Sequence, residues 1–234
     1  MEKALALNRH EWRKAAAAGL KGFDLLYLGD EFCEQLIPEP SDLEHARKIF
    51  KGRPVLVTPL LTDTGIDAVE RLILGAASQK DRLEIVVNDL GLLHLIRERY
   101  AKRVRVALGR IFGHRMKVMP ALFAARFLKK HGVRRIEIDD PALPDRFTRF
   151  KGIKLSFHSP FRYMSATRFC PWERHWPGPC ADSCRGKLTR IQHPRLPSTL
   201  LLKGCAYGIK TSGIPAHPMI DRVVTERLPA RGKK

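Results

Sequence analysis

The amino-acid sequence predicts an α/β protein, a single (β/α)8-like barrel of the TIM type with a Pro/Gly-rich cysteine loop near its C-terminal end. Three observations carry this. Short apolar runs alternate with amphipathic helical stretches over residues 1–160, the pattern of a mostly parallel sheet with its crossover helices. Eight such runs can be counted along the chain, which favours a closed barrel over an open sheet. No linker or internal repeat divides the 234 residues, a length that one barrel domain accommodates. The domain is expected to span residues 1–226, with the cysteine loop at 170–184 and a basic, disordered tail at 227–234.

Taken in order, Lys3–Leu7 reads as a strand, and Asn8 with Glu11 three residues later forms an N-cap pair for a helix through Trp12. Phe23–Gly29 is the second strand. Ser41-Asp42-Leu43-Glu44 reads as a capping box for a helix burying Leu43, Ala46, Ile49 and Phe50. Pro54–Leu61 is the continuous apolar run of a strand covered on both faces. Asp63 or Thr64 then caps a helix with Ile66, Val69, Ile73 and Ala76 at helical spacing. Leu83–Val87 and Val104–Gly109 read as strands around a crossover helix at Leu90–Tyr100, and Pro120–Lys130 as a helix leading to the strand Arg135–Asp139. Lys154–His158 is the seventh strand, and Ser198–Lys203 is expected to be the eighth.

Active groups of parallel barrels sit at the C-terminal ends of strands. Asn88, Asp89, Asp139, Asp140 and His158 fall there and are the catalytic candidates. Each also has an ordinary reading: the acids and the amide can cap helices, and a lone histidine is commonly a hydrogen-bonded structural residue.

Cys170, Cys180 and Cys184 form a C-x9-C-x3-C pattern in a stretch too rich in Pro and Gly for helix or strand. Soft thiolates on a wrapping loop select zinc, copper(I) or iron–sulfur clusters, and a [4Fe–4S] cube needs a fourth cysteine. Cys33 and Cys205 are the candidates. Cys33 follows a strand end and is preferred, whereas Cys205 reads as a small apolar core residue. Zinc in a closed tetrahedral site is the alternative metal, and disulfides or ordinary buried thiols are the plain alternative.

The formal charge of +19 is unevenly placed: residues 97–135 hold 13 Lys and Arg against one acid. That segment and the C-terminal half are expected to attract RNA or another anionic ligand, unless they form only a solvated basic surface. Without a long apolar segment at its start or a run able to span a bilayer, the protein is expected to be cytoplasmic, with no transmembrane segment.

Asp24-Leu25-Leu26-Tyr27-Leu28-Gly29-Asp30-Glu31-Phe32-Cys33, then Val87-Asn88-Asp89-Leu90-Gly91, then the late cysteines and a Leu-rich strand, together resemble the collagenase-like peptidase family of unassigned catalytic type. Their order is similar to that in the smaller of its two kinds of member acting in oxygen-independent ubiquinone biosynthesis. The resemblance implies a modified or incomplete barrel and a [4Fe–4S] cluster on Cys33, Cys170, Cys180 and Cys184, with Cys205 not carried over. It also implies hydroxylation of an aromatic ring or an RNA base without molecular oxygen, with prephenate as oxygen source, and a heteromeric partner of the same family. The middle cysteine spacing is shorter here, and the basic charge is heavier than a quinone-ring enzyme needs.

Four activities follow as expectations. They are an iron–sulfur subunit for ring hydroxylation, an RNA-base hydroxylation factor in which Trp172 or Trp176 stacks on a base, a peptidase, and a zinc-stabilised binding protein. The peptidase is the weakest, for the chain has neither His-Glu-x-x-His nor Gly-x-Ser-x-Gly.

Overall fold

The computed structural model describes residues 1–18, 20–77, 81–211 and 213–228. Eight parallel strands close into a barrel: β1 (Glu2–Leu7), β2 (Leu25–Gly29), β3 (Arg53–Val57), β4 (Leu83–Val87), β5 (Val104–Leu108), β6 (Arg135–Ile138), β7 (Lys154–Ser159) and β12 (Ile220–Glu226). The seam is made by β12, which pairs with β7 at Val224–His158 and with β1 at Ala4–Val224. Helices α1 (Arg9–Ala18), α2 (Pro40–Ile49), α3 (Asp63–Ala76), α4 (Leu90–Leu95), α5 (Arg110–Met116), α6 (Ala121–Lys130) and α7 (Pro144–Phe147) lie between successive strands. No helix among the described residues is long and apolar enough to cross a membrane.

The eighth barrel strand is a correction to the sequence reading. Leu200–Lys203 is a strand, β10, but it belongs to a separate antiparallel sheet with β8 (Phe161–Ala166), β9 (Thr189–Ile191) and β11 (Ala206–Lys210), in the order β8-β11-β10-β9. This sheet occupies the β7-to-β12 connection, where a regular barrel has a helix. Its cysteine-bearing loop lies between β8 and β9. The expected basic tail lies outside the described residues from 229 onward.

Alternation along the strands builds two cores. Outward residues such as Leu26, Leu28, Ile85, Leu108, Ile136 and Phe157 pack against the helices, together with Trp12, Val69 and Leu92. Inward residues Ala4, Leu25, Tyr27, Val55, Val57, Val86, Ala107 and Val224 fill the barrel. Asn8 and Glu11 cap α1 reciprocally, each side chain accepting the other's backbone N–H at 3.0 Å. Two expected caps sit slightly earlier in the chain. α2 is capped at Glu39, whose N–H reaches Asp42 Oδ2 at 3.0 Å, and α3 at Thr62, whose hydroxyl accepts the Gly65 N–H at 3.2 Å. Ile49, expected to be buried, is exposed. The Leu90–Tyr100 helix becomes π-helical from Ile96, and α5 follows β5 directly, a helix with too little apolar periodicity to be expected.

Candidate functional site

Two neighbouring arrangements occupy the C-terminal end of the barrel. One is thiol-lined and lies between the β2 loop and the inserted sheet. The other is an ion-paired network inside the barrel mouth.

β2 ends at Gly29, where φ is +119 and an added Cβ would run into the Val57 carbonyl oxygen, so the close turn off the strand requires glycine. Asp30 follows and takes the N–H groups of Phe32 and Cys33 on one carboxylate oxygen at 2.8 and 3.0 Å, which fixes the direction of the Cys33 side chain. Burial raises the Asp30 carboxyl to about 6.

The late loop is organised by Glu173. Its carboxylate accepts the backbone N–H of Ser183 at 2.7 Å and of Ala181 at 3.0 Å, and it faces His175 Nε2 at 3.2 Å and Cys180 Sγ at 3.6 Å. Those N–H donors, Ser183 first and then Ala181, hold the carboxyl down at about 2. The His175 carbonyl accepts the Cys170 N–H at 2.7 Å, so a tight turn joins the first cysteine to the carboxylate. Outside contacts anchor the loop on two sides: Trp172 Nε1 donates to the Gly204 carbonyl at 2.7 Å, and Asp182 meets His10 of α1 at 3.0 Å.

Cys33, Cys170, Cys180 and Cys205 line one cavity of ≈ 30 Å³. Cys184 lies beside it, on a cavity of ≈ 80 Å³ shared with Asn8, Asp30 and Lys203. The thiols sense one another: Cys180 is raised to about 11 by burial, and Cys184 to about 12 by burial and then by Cys33, Cys180 and Cys170. Cys33 is pushed far above its ordinary range, first by a hydrogen bond with Cys205 and then by burial. Cys205 is buried, as a core residue would be, yet it is also the direct neighbour of Cys33. All five cysteines are free thiols.

The donor chemistry fits a soft metal. Thiols so hard to ionise unaided are deprotonated on coordination. The Asp182 N–H already points to Cys180 Sγ at 3.3 Å, a hydrogen bond of the kind that tunes thiolate-bound iron. A second donor set overlaps the first: Glu173, His175 and Cys180 bring their ligand atoms within 4.8 Å of one another. The Trp176 carbonyl takes the Nδ1 hydrogen of His175 at 2.6 Å, leaving Nε2 on the side of Glu173. Sequence reasoning did not single out Glu173 or His175, although both stand between the first two cysteines of the pattern.

Inside the mouth, Arg110 is held by Glu31 through Nε at 2.7 Å, by Glu226 at 2.6 Å, by Asp139 at 3.4 Å and by the Phe161 carbonyl at 3.1 Å. His158 lies between Glu137 at 2.9 Å and Glu226 at 3.3 Å. Burial, the largest influence, and the Arg110 charge favour its neutral ring, but the bonds to Glu137 and Glu226 and the Glu31 charge outweigh them and raise it to about 9. Asn88 joins the network by donating to Glu31 at 3.1 Å and to the Thr58 carbonyl at 3.0 Å. Asp139 accepts the Tyr163 N–H at 2.6 Å and meets His114 at 2.9 Å.

Three of the five catalytic candidates, Asn88, Asp139 and His158, therefore share one network. The other two serve the local roles their sequence context allowed. Asp89 caps α4 through the Leu92 N–H at 2.9 Å, and Asp140 accepts the Ala142 N–H at 3.1 Å while also pairing with Arg162 of β8 at 2.5 Å. The network's centre, Arg110 with Glu31, Glu137 and Glu226, escaped the sequence reading, and the alternating polar residues Arg135 and Glu137 of β6 and Asp139 just beyond it are the signal that could have exposed part of it. Lys203 of β10 crosses the mouth to reach Glu226 at 3.1 Å. The space left there is ≈ 30 Å³, room for a water or two and not for an aromatic ring. No known family model matches this chain, and no curated protein does.

Proposed function

We propose that this chain is an iron–sulfur protein in which Cys33, Cys170, Cys180 and Cys184 hold a [4Fe–4S] cluster. In this reading it supports oxygen-independent hydroxylation of an aromatic ring in ubiquinone biosynthesis, as a subunit of a heteromeric complex of the same family. One observation carries the reading: Cys33 lines the same cavity as Cys170 and Cys180, which follow it by 137 or more residues, while Cys184 lines the neighbouring one beside Asp30. A bound cluster would supply one-electron transfer, with a potential set by burial and by hydrogen bonds to sulfur. The chain's own contribution is to exclude water through the inserted sheet, to aim Cys33 through the Asp30 turn, and to keep the late loop closed through Glu173. Exposed apolar side chains at Val118, Leu122 and Phe123, outside the barrel, give a protein partner a surface to cover.

Zinc is the second reading, favoured by the Glu173, His175 and Cys180 group, whose mixed donors suit that metal. The RNA reading keeps the cluster and has exposed Trp176, next to Phe169, as a stacking surface. Most of the cations it would need, however, lie at the opposite end of the barrel, a strand length of roughly 15–20 Å away. A peptidase needs an activated nucleophile, whereas the Cys180 thiol is raised by burial instead of lowered.

Purified without oxygen, the protein is expected to be brown, with iron and acid-labile sulfide in equal amounts and visible absorption that Cys180→Ala bleaches. A colourless protein containing zinc would end the redox reading and leave the second.

A further inference from the structure

A wide concavity opens at the other end of the barrel, where the strands begin. It measures ≈ 860 Å³, and its wall takes residues from the start of nearly every barrel strand and from the C-terminal end of α6. Ten arginines and lysines line it against three carboxylates, Glu2, Glu84 and Asp221. Those three are already spent: Glu2 pairs with Arg53 at 2.8 Å and with Arg222 at 2.9 Å, Glu84 pairs with Arg222, and Asp221 with Arg135 at 2.7 Å. Arg82 gives its guanidinium to the carbonyls of Ala101 and Val104 at 2.9 and 2.6 Å. Arg97, Arg105, Lys129, Lys130, Arg134 and Lys154 remain, all exposed and without an ion-pair partner among the described residues.

Six cations without ion-pair partners among the described residues converge on one concave wall and repel one another. His131, set in the same wall, registers the field: burial, then Lys130 and Arg97, push its ring toward the neutral form. Its buried Nδ1 has no hydrogen-bond partner. A ligand carrying dense negative charge would relieve the repulsion.

We propose that this basin binds a small molecule bearing two or more adjacent phosphate groups. The size suits such a ligand, since small-molecule sites occupy roughly 300–1,000 Å³. The chemistry of the wall separates it from a nucleic-acid strand. Single strands are held by phosphate contacts together with stacking on aromatic side chains, and among the described residues no Phe, Tyr or Trp lines this basin. Because it lies at the far end of the barrel from the cysteines, the site is independent of any metal they hold.

Inorganic tripolyphosphate is a suitable probe, titrated calorimetrically into the 234-residue protein at about 0.1 M salt, where charges beyond roughly 10 Å are screened. One molecule is expected to bind per chain. Arg105→Glu with Arg134→Glu should weaken it by roughly ten-fold or more, whereas Lys117→Glu with Arg126→Glu, the same charge change outside the basin, should leave it nearly unchanged. All four residues are exposed, so circular dichroism should report an intact fold in both variants. Absence of saturable binding, or equal losses in the two variants, would overturn the proposal. So would a single-stranded RNA decamer that binds more tightly and that tripolyphosphate does not displace, because it would transfer the basin to nucleic acid.

Discussion

At Glu173 a single carboxylate closes the cysteine loop, since its two backbone donors, Ala181 and Ser183, flank Asp182 in the segment between Cys180 and Cys184. Glu173→Ala is expected to free both N–H groups and open the loop while leaving the barrel intact. Limited trypsin digestion should then cut faster at Arg174 or Arg185 with no change in the far-ultraviolet spectrum, and an unchanged cutting rate would remove Glu173 from this role. His158 gives a second residue-level test. Its folded-state value of about 9 lies above its ordinary 6.5, so the folded protein binds this proton more tightly than the unfolded chain does. The resulting stabilisation is complete below pH 6.5 and is lost as the pH rises through about 9. An NMR titration should find the ring charged through neutral pH, and His158→Gln should flatten the fall in urea midpoint across that interval. A ring that titrates near its ordinary value would contradict the network's charge balance.

Between elements, α1 links the barrel to the cysteine loop: its capping turn begins at Asn8, Trp12 packs at 1 % exposure in the outer core, and His10 meets Asp182. Trp12→Ala should cost about 3–5 kcal/mol, read from chemical unfolding, and should loosen the cysteine loop as well. A loss below about 1 kcal/mol would show that the helix is not anchored there. The elements were unevenly legible in the sequence. β2, β3 and β4 were readable because both faces of each are covered, which leaves continuous apolar runs such as Leu25–Leu28. β12 was missed for the opposite reason: Asp221, Arg222 and Glu226 break its apolar run, since Arg222 and Glu226 turn inward to buried partners. Leu200–Lys203 looked the better strand by composition. Its leucines cover the barrel mouth instead of closing its wall, a distinction that depends on tertiary pairing and that no local pattern carries.

Across the whole molecule, the two ends of the barrel have opposite character. The strand starts open onto an excess of cations, and the strand ends carry paired acids, a closing sheet and five thiols. The thiol cluster was legible because three of its members share one short loop, and Cys33 because it follows a strand end. The interior network was not: Glu31, Arg110 and Glu226 are each separated by 79 or more residues and meet only when the barrel closes. Cys205 tests how closely function follows proximity, for it touches Cys33 but is no ligand in the proposed set.

The central claim is that Cys33 completes a metal centre with the late trio, and iron and sulfide counted per chain in anaerobically prepared Cys33→Ala and Cys205→Ala proteins test it most directly. With folding verified for both, the account expects about four of each atom in the wild type and in Cys205→Ala, and loss of the intact cluster in Cys33→Ala. Full iron and sulfide in Cys33→Ala, or their loss only in Cys205→Ala, would contradict it.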